Sequence, residues 1–266
     1  MAYTTIDDPS AHFQTITYSG NGASRSITNT GNSDLKPDWV WIKERNNAVS
    51  HRIFDSSRGA TKRIFSNNAD AESTQSNSLT AFNTDGFSLG DGGSVNGGSD
   101  TYVAWQWKAN GGTTSSNTSG SVTSTVQANT TAGISIVTWT AANGAYTIGH
   151  GLGTTPAMVI TKDRDTSERN WWTWHQAFGD PASAGGYVAL NTNSAKATAA
   201  NSIWGTQGLS STLFGFDAST SQNDAHVGYF FAEIKGYSKF GSYTGNGSTD
   251  GTFVYTGFRP AFVMIK

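Results

Sequence analysis

The side chains able to do chemistry are few and scattered. Five histidines, His12, His51, His150, His175 and His226, are the only imidazoles in the chain. A single element that ligates a metal through imidazole needs a pair at a spacing such as His-x-x-x-His, and no two of the five stand that way. Asp163-Arg-Asp165-Thr-Ser-Glu168 and the loops holding Asp85 and Asp91 gather oxygen ligands of the kind calcium takes. Arg164 inside the first of these argues against the ion. Glycoside hydrolysis requires two carboxyl groups flanking one cleft. The chain offers Glu44, Glu72, Glu168 and Glu233, none within a motif; Glu233, beside the apolar run 227–232, is the one expected to be partly shielded. Cysteine is absent, so no thiolate nucleophile, thiolate metal site or disulfide exists. Gly149-His-Gly-Leu-Gly153 is glycine-rich, but no helix follows to cap a phosphate, and a tight turn between strands is expected instead. The expectation is no catalytic residue, no metal and no cofactor.

Aromatic side chains carry more. Trp171-Trp-Thr-Trp174 places Trp172 and Trp174 on one face of a strand and Trp171 on the other. Two readings stand: an exposed ligand-binding platform formed by Trp171, Trp172 and Trp174, stacking on sugar rings or a partner subunit, or core on both faces of a buried strand. Trp39, Trp41, Trp105 and Trp107 are assigned to core.

One phrase recurs three times and organises the elements around these residues. It reads Pro37-Asp-Trp-Val-Trp-Ile-Lys43, Pro156-Ala-Met-Val-Ile-Thr-Lys162 and Pro260-Ala-Phe-Val-Met-Ile-Lys266, and it uses three of the five prolines. Proline lacks an N–H and is tolerated at the first residue of a strand. The near-continuous apolar run after it suits a strand covered on both faces, with the lysine returning the chain to solvent. Around the first two copies other features repeat in order. Ser50 to Phe54 corresponds to Trp171 to Trp174, and Tyr102-Val-Ala-Trp-Gln-Trp107 to His226-Val-Gly-Tyr-Phe-Phe231. Tyr243-Thr-Gly-Asn-Gly247 then echoes Tyr18-Ser-Gly-Asn-Gly22. A period of roughly 100 residues is a tandem domain array.

The reading is an all-β chain of tandem antiparallel β-sandwich modules of jelly-roll or concanavalin-like kind. Short strands with Gly/Asn turns, without sustained helical periodicity, are its basis. The expected organisation is a lead-in (1–11), module 1 (12–110), a flexible Ser/Thr/Gly-rich linker (111–132), module 2 (133–237) and a partial third module (238–266). Residues 67–78 could carry one helical turn. A module cut after its central strand cannot bury that strand alone. The chain is therefore expected to continue, or its last segment to complete a sheet elsewhere. Charged residues make up 14% and the net charge is −2, which gives no electrostatic footprint for nucleic acid. No apolar run approaches ~18 residues, so no membrane insertion is expected. The N-terminus shows no signal peptide.

Phe54-Asp-Ser-Ser-Arg-Gly59, Ser66-Asn-Asn, Leu79 to Leu89, Tyr102 to Lys108 and Tyr146 to Lys162 together resemble a repeated β-rich module of tailed-phage virion proteins of the marine phage and cyanophage type. The resemblance spans most of 12–266. It implies a non-enzymatic structural protein of a tail fibre or similar appendage, assembled in the host cytoplasm into the virion. The implied partners are other virion proteins, further copies of the chain in a homo-oligomer such as a trimer, and a host surface glycan or protein. A lectin-like glycan-binding module and a capsid-surface decoration protein are the alternatives.

Overall fold

The computed structural model describes residues 4–182, 185–198, 203–217 and 223–266. The fold is all-β, and every pairing between its named strands is antiparallel. Module 1 contributes β1 (Phe13–Ser19), β2 (Arg25–Ile27), β3 (Trp39–Glu44), β4 (Arg52–Asp55), β5 (Lys62–Phe65), β6 (Ser73–Thr74), β7 (Leu79–Phe82), β8 (Phe87–Leu89) and β9 (Thr101–Trp107). Residues 111–132 contribute β10 (Ser115–Asn117) and β11 (Ser124–Asn129). Module 2 contributes β12 (Ile134–Thr140), β13 (Tyr146–Gly149), β14 (Met158–Asp163), β15 (Trp172–His175), β16 (Val188–Ala189), β17 (Leu213–Phe216) and β18 (Ala225–Phe231).

The internal repeat in the sequence is a repeat in topology. The six-stranded sheet runs β1-β9-β3-β4-β5-β6, and the seven-stranded sheet runs β10-β11-β12-β18-β14-β15-β16. Its β12-β18-β14-β15-β16 portion matches β1-β9-β3-β4-β5 strand for strand. Register is kept as well. Trp107 of β9 lies opposite Phe13 on one side and Trp39 on the other; Phe231 of β18 lies opposite Ile134 and Met158. Both keystone strands are central, and Val40, Ile42 and Val159 have no exposed surface.

Four layers result. A small sheet, β2-β8-β7, covers one face of the six-stranded sheet, burying Ile27, Leu79, Phe87 and Leu89 against Val40, Ile42, Phe54 and Tyr102. The pair β13-β17 covers one face of the seven-stranded sheet, with Tyr146, Ile148, Phe214 and Phe216 against Trp139, Val159 and Phe230. The two large sheets then pack on each other. Trp39, Trp41, Ile53 and Ile64 meet Ile136, Ile160, Trp171 and Tyr229 in one continuous core, with Trp39 stacked on Tyr229 at a centroid distance of 4.4 Å. Alternation along a strand feeds both faces, so each module has an apolar face left over for the other.

Several expectations need correcting. Residues 111–132 are not a free linker. Their polar composition disguises two strands on the edge of the seven-stranded sheet, where Val126 enters the core and the Ser124 hydroxyl donates to the Gly149 carbonyl at 2.6 Å. Residues 67–78 hold β6, and a short α-helix, Gly93–Asn96, lies in the glycine-rich loop instead. Lys162 does not return to solvent. It is fully buried, and its ammonium donates to the carbonyls of Asp163 (2.7 Å) and Ala69 (3.2 Å). The third keystone, 260–266, is in no strand.

Candidate functional site at the seam between the modules

Four charged side chains, Asp55, Arg58, Glu72 and Arg164, form a chain of ion pairs where the two large sheets meet. β4 ends at Asp55, and the following turn brings Arg58 back over it. The Asp55 carboxylate accepts from the Arg58 backbone N–H (2.9 Å) and from Arg58 Nε (2.5 Å). Neither side chain has exposed surface. From module 2 the Tyr229 hydroxyl donates to the same carboxylate at 2.7 Å. The guanidinium of Arg58 continues to Glu72 at 2.9 Å. Glu72 in turn takes a forked pair of bonds from Arg164 of module 2, at 2.9 and 3.0 Å. Two carboxylates and two guanidiniums thus alternate across the seam, with Tyr229 closing one end.

The electrostatics follow from burial and pairing. Burial acts against the charge on Arg58, but Asp55, Tyr229 and Glu72 outweigh it and hold the guanidinium pKa above its ordinary value. Burial raises the Glu72 carboxyl, yet the bonds from Arg164 and the charge of Arg58 bring it below the usual range. Burial, then the neighbouring Asp55, push the Tyr229 phenol well above 10.0. Lys162, at the same seam, is pushed down to about 8 by burial, against the pull of Asp163 and Asp70. The Asp55–Arg58 end of the network is sealed from solvent, while its Glu72–Arg164 end stays partly exposed. A buried ion pair of this kind holds two elements in one arrangement, and losing one partner leaves an uncompensated charge.

Two further joints flank it. Gln127 of β11 donates to the hydroxyls of Ser56 and Ser57, both at 2.9 Å, and accepts from the Gly112 N–H at 2.8 Å. Asp38 accepts from Ser56 (2.8 Å), Ala109 N–H (2.8 Å) and Gly111 N–H (2.7 Å). The Phe54-Asp-Ser-Ser-Arg-Gly59 phrase is therefore a seam-building motif in which the aspartate and both serines bond across, while the arginine braces the aspartate and Glu72 from within module 1. The sequence carried the signal in a form that is easy to pass over. In a chain so poor in charge, an acid and a base three residues apart beside an apolar strand are candidates for mutual burial.

The tryptophan platform is not formed. Trp171 has no exposed surface, and its indole N–H donates to the Phe65 carbonyl of module 1 at 2.7 Å. Trp174 is 2% exposed and donates to the Gly179 carbonyl at 3.0 Å. Only Trp172 is half-buried, set edge-on against Tyr187 at 5.0 Å. Packing between the modules covers Trp171, and the internal core of module 2 covers Trp174, so the faces that a stacking ligand would need are taken.

The other sequence candidates do not converge. Among the described residues no three His, Asp or Glu side chains group as a metal site. Asp163 accepts from the backbone N–H groups of Asp165 and Thr166 (2.9 and 3.0 Å), and Asp165 accepts from the Ala225 N–H (2.7 Å), so these carboxylates tie turns. Glu233, expected to be shielded, is exposed and pairs with Lys239 at 2.7 Å, while Glu168 lies in an exposed turn. His150 is buried and stacked on Phe230 at 5.6 Å. Its Nδ1 accepts from the Leu152 N–H at 3.3 Å, its Nε2 faces the Ser210 carbonyl at 3.2 Å, and burial pushes its pKa down to about 4. It is a neutral structural imidazole. Gly151 beside it, at φ 74°, adopts the left-handed backbone this turn needs. A shallow cleft of about 320 Å³ lies at one end of module 2, lined by Thr155, Pro156, Trp174, Gln176, Gly179, Asp180 and Leu209. Among the described residues no helix is long and apolar enough to cross a membrane.

Fold and seam together define an all-β protein of two fused repeats, each a large sheet capped by a small one. The chain belongs to the family described as Domain of unknown function (DUF7483), which matches residues 8–266. No curated protein and no solved structure matches it.

Proposed function

We propose that this protein is a non-enzymatic structural component of a phage virion, within a tail fibre or similar appendage that contributes to assembly and host-surface attachment. The observation that supports this reading most is the seam. Asp55, Arg58 and Glu72 of one repeat are locked to Tyr229 and Arg164 of the next inside a shared apolar core. Such a joint suits tandem modules that must transmit load and keep a fixed relative orientation. The resemblance of Phe54 to Gly59 and Tyr146 to Lys162 to virion modules supplies the location. On this reading the partners are other virion proteins and further copies of the chain.

The test is to purify the particle, identify its proteins by mass spectrometry and locate this chain by electron cryomicroscopy. Several symmetry-related copies in the tail or appendage are the expected result. Copies on the capsid shell would favour surface decoration, and absence from the particle would overturn the proposal. A lectin-like reading has one observation in its favour, the cleft in which Pro156, Leu209 and an edge of Trp174 stand beside Gln176 and Asp180. It predicts that Asp180→Ala weakens retention on host polysaccharide.

A further inference from the structure

All the large hydrophobic side chains exposed among the described residues lie in one segment: Tyr243, Phe253, Val254, Tyr255, Val263 and Ile265. Surfaces this apolar mark interaction sites. The backbone of the same segment is equally unspent. From Gly241 to Lys266 no backbone N–H is bonded to a backbone carbonyl of the described residues. Unpaired backbone and apolar side chains together make a template for strand addition.

The internal repeat says what belongs there. Phe262 and Met264 pack into the central core, Phe262 lying on Trp107, Trp105 and Phe13 at centroid distances of 5.3, 5.8 and 6.0 Å. Phe262 and Met264 therefore take the side that Trp39 and Trp41 take in the first copy, and Met158 and Ile160 in the second. Val263 and Ile265 point the other way and are 66% and 68% exposed. Their equivalents Val40, Ile42 and Val159 are wholly buried. In both finished copies the keystone is paired with an aromatic strand in one register. Trp107 and Trp105 face Trp39 and Trp41, and Phe231 and Tyr229 face Met158 and Ile160.

We propose that residues 260–266 are a strand-docking site whose occupant is an antiparallel strand of the β9/β18 pattern presented by a partner protein, with aromatic residues opposite Phe262 and Met264. A second folded copy does not supply that strand. Its β9 is already paired with β1 and β3, and its β18 with β12 and β14. The inference holds or fails independently of where the protein resides.

The probe is a synthetic peptide with the sequence of Thr101–Lys108, added to the full chain. The control has the same composition with its aromatics shifted by one position, which moves them to the opposite face. Binding is followed by fluorescence, and backbone protection by hydrogen–deuterium exchange. The expected result is protection confined to residues 260–266, with binding at least tenfold weaker for the shifted peptide. Val263→Asp with Ile265→Asp, both at exposed positions, is expected to weaken binding by tenfold or more while the exchange pattern of β1 to β18 stays unchanged. Three outcomes would overturn the proposal: no protection at 260–266, equal binding of both peptides, or self-association of the chain through 260–266 that the peptide does not displace.

Discussion

Modules 1 and 2 share a strand order, a register and a keystone, and they part in the turn that leaves the strand beside the keystone. Where β4 leaves its sheet, module 1 has Asp55-Ser-Ser-Arg58; where β15 leaves its sheet, module 2 has His175-Gln-Ala-Phe178. The two stretches are equivalent, because Asp55 lies opposite Trp39 and His175 opposite Met158. The first makes the buried ion network. The second forms a single 3₁₀ turn, in which His175 accepts from the Ala177 N–H at 3.1 Å. The scaffold is thus common property of the repeat, and the joint between repeats is written into only one copy. A third keystone sharpens the point, since the same phrase at 260–266 is not a strand at all. A pleated strand is stable when its neighbours and both covering layers are present; the phrase confers the tendency and the surroundings realise it.

The largest expected effect separates the finished keystone from the unfinished one. Val40→Asp places a carboxylate among Leu79, Phe87 and Phe54, which is expected to cost at least about 4 kcal/mol and to prevent folding at ordinary temperature. Val263→Asp, at the equivalent exposed position, is expected to change stability by no more than ~0.5 kcal/mol. Denaturant titration of both variants checks the pair. Equal losses would mean that the third copy is packed as the first one is.

Next comes the joint. Asp55→Ala takes from the buried Arg58 guanidinium its fully buried carboxylate partner, leaving only Glu72, and takes from Tyr229 its acceptor; it is expected to cost about 3–5 kcal/mol. His175→Ala, its structural counterpart, loses one bond to a turn N–H and is expected to cost about 1 kcal/mol or less. If the two cost the same, the network is not what distinguishes the copies.

Acid should also find module 2, first through the buried His150. Burial pushes His150 down to about 4 from 6.5, so the folded state keeps it neutral where the unfolded chain binds a proton. Its contribution is present above pH 6.5 and is lost as pH falls toward 4, by about 3 kcal/mol in all at 1.36 kcal/mol per unit. His226, pushed the same way by burial, adds to the fall. His150→Gln is expected to flatten the stability–pH curve between pH 6.5 and 4. An unchanged curve would place the acid sensitivity elsewhere.

Much of the scaffold was legible in the residues. Proline followed by a continuous apolar run marked both central strands. The correspondence of Tyr102–Trp107 with His226–Phe231 aligned β9 with β18. Three things were not legible, each for a physical reason. An edge strand needs few apolar residues, so β10 and β11 read as linker although Val126 and Gln127 are buried. Face-to-face packing joins residues far apart in the chain, so nothing local revealed that Trp171 would be covered by module 1 or that Lys162 would reach Ala69. Composition also cannot say which strands find partners, so 260–266 looked identical to its two built relatives.

The smallest effect probes the one neutral member of the joint. Tyr229→Phe removes the hydroxyl that donates to Asp55 but leaves that carboxylate both of its bonds from Arg58. The cost near neutral pH is expected to be roughly 1–2 kcal/mol, that of one buried hydrogen bond with its acceptor still satisfied. The sign of its pH dependence follows from the raised phenol pKa. The folded state keeps the proton, so the tyrosine's contribution is complete below pH 10 and declines as pH rises above it, when the unfolded chain ionises and the folded one does not. Phenylalanine carries no such dependence. The difference between Tyr229→Phe and the parent protein should therefore narrow above pH 10, by about 1.4 kcal/mol per unit. A difference that holds constant to pH 11 would mean that the phenol already ionises in the folded protein, and that the seam admits the solvent from which this arrangement of Asp55, Arg58 and Glu72 isolates it.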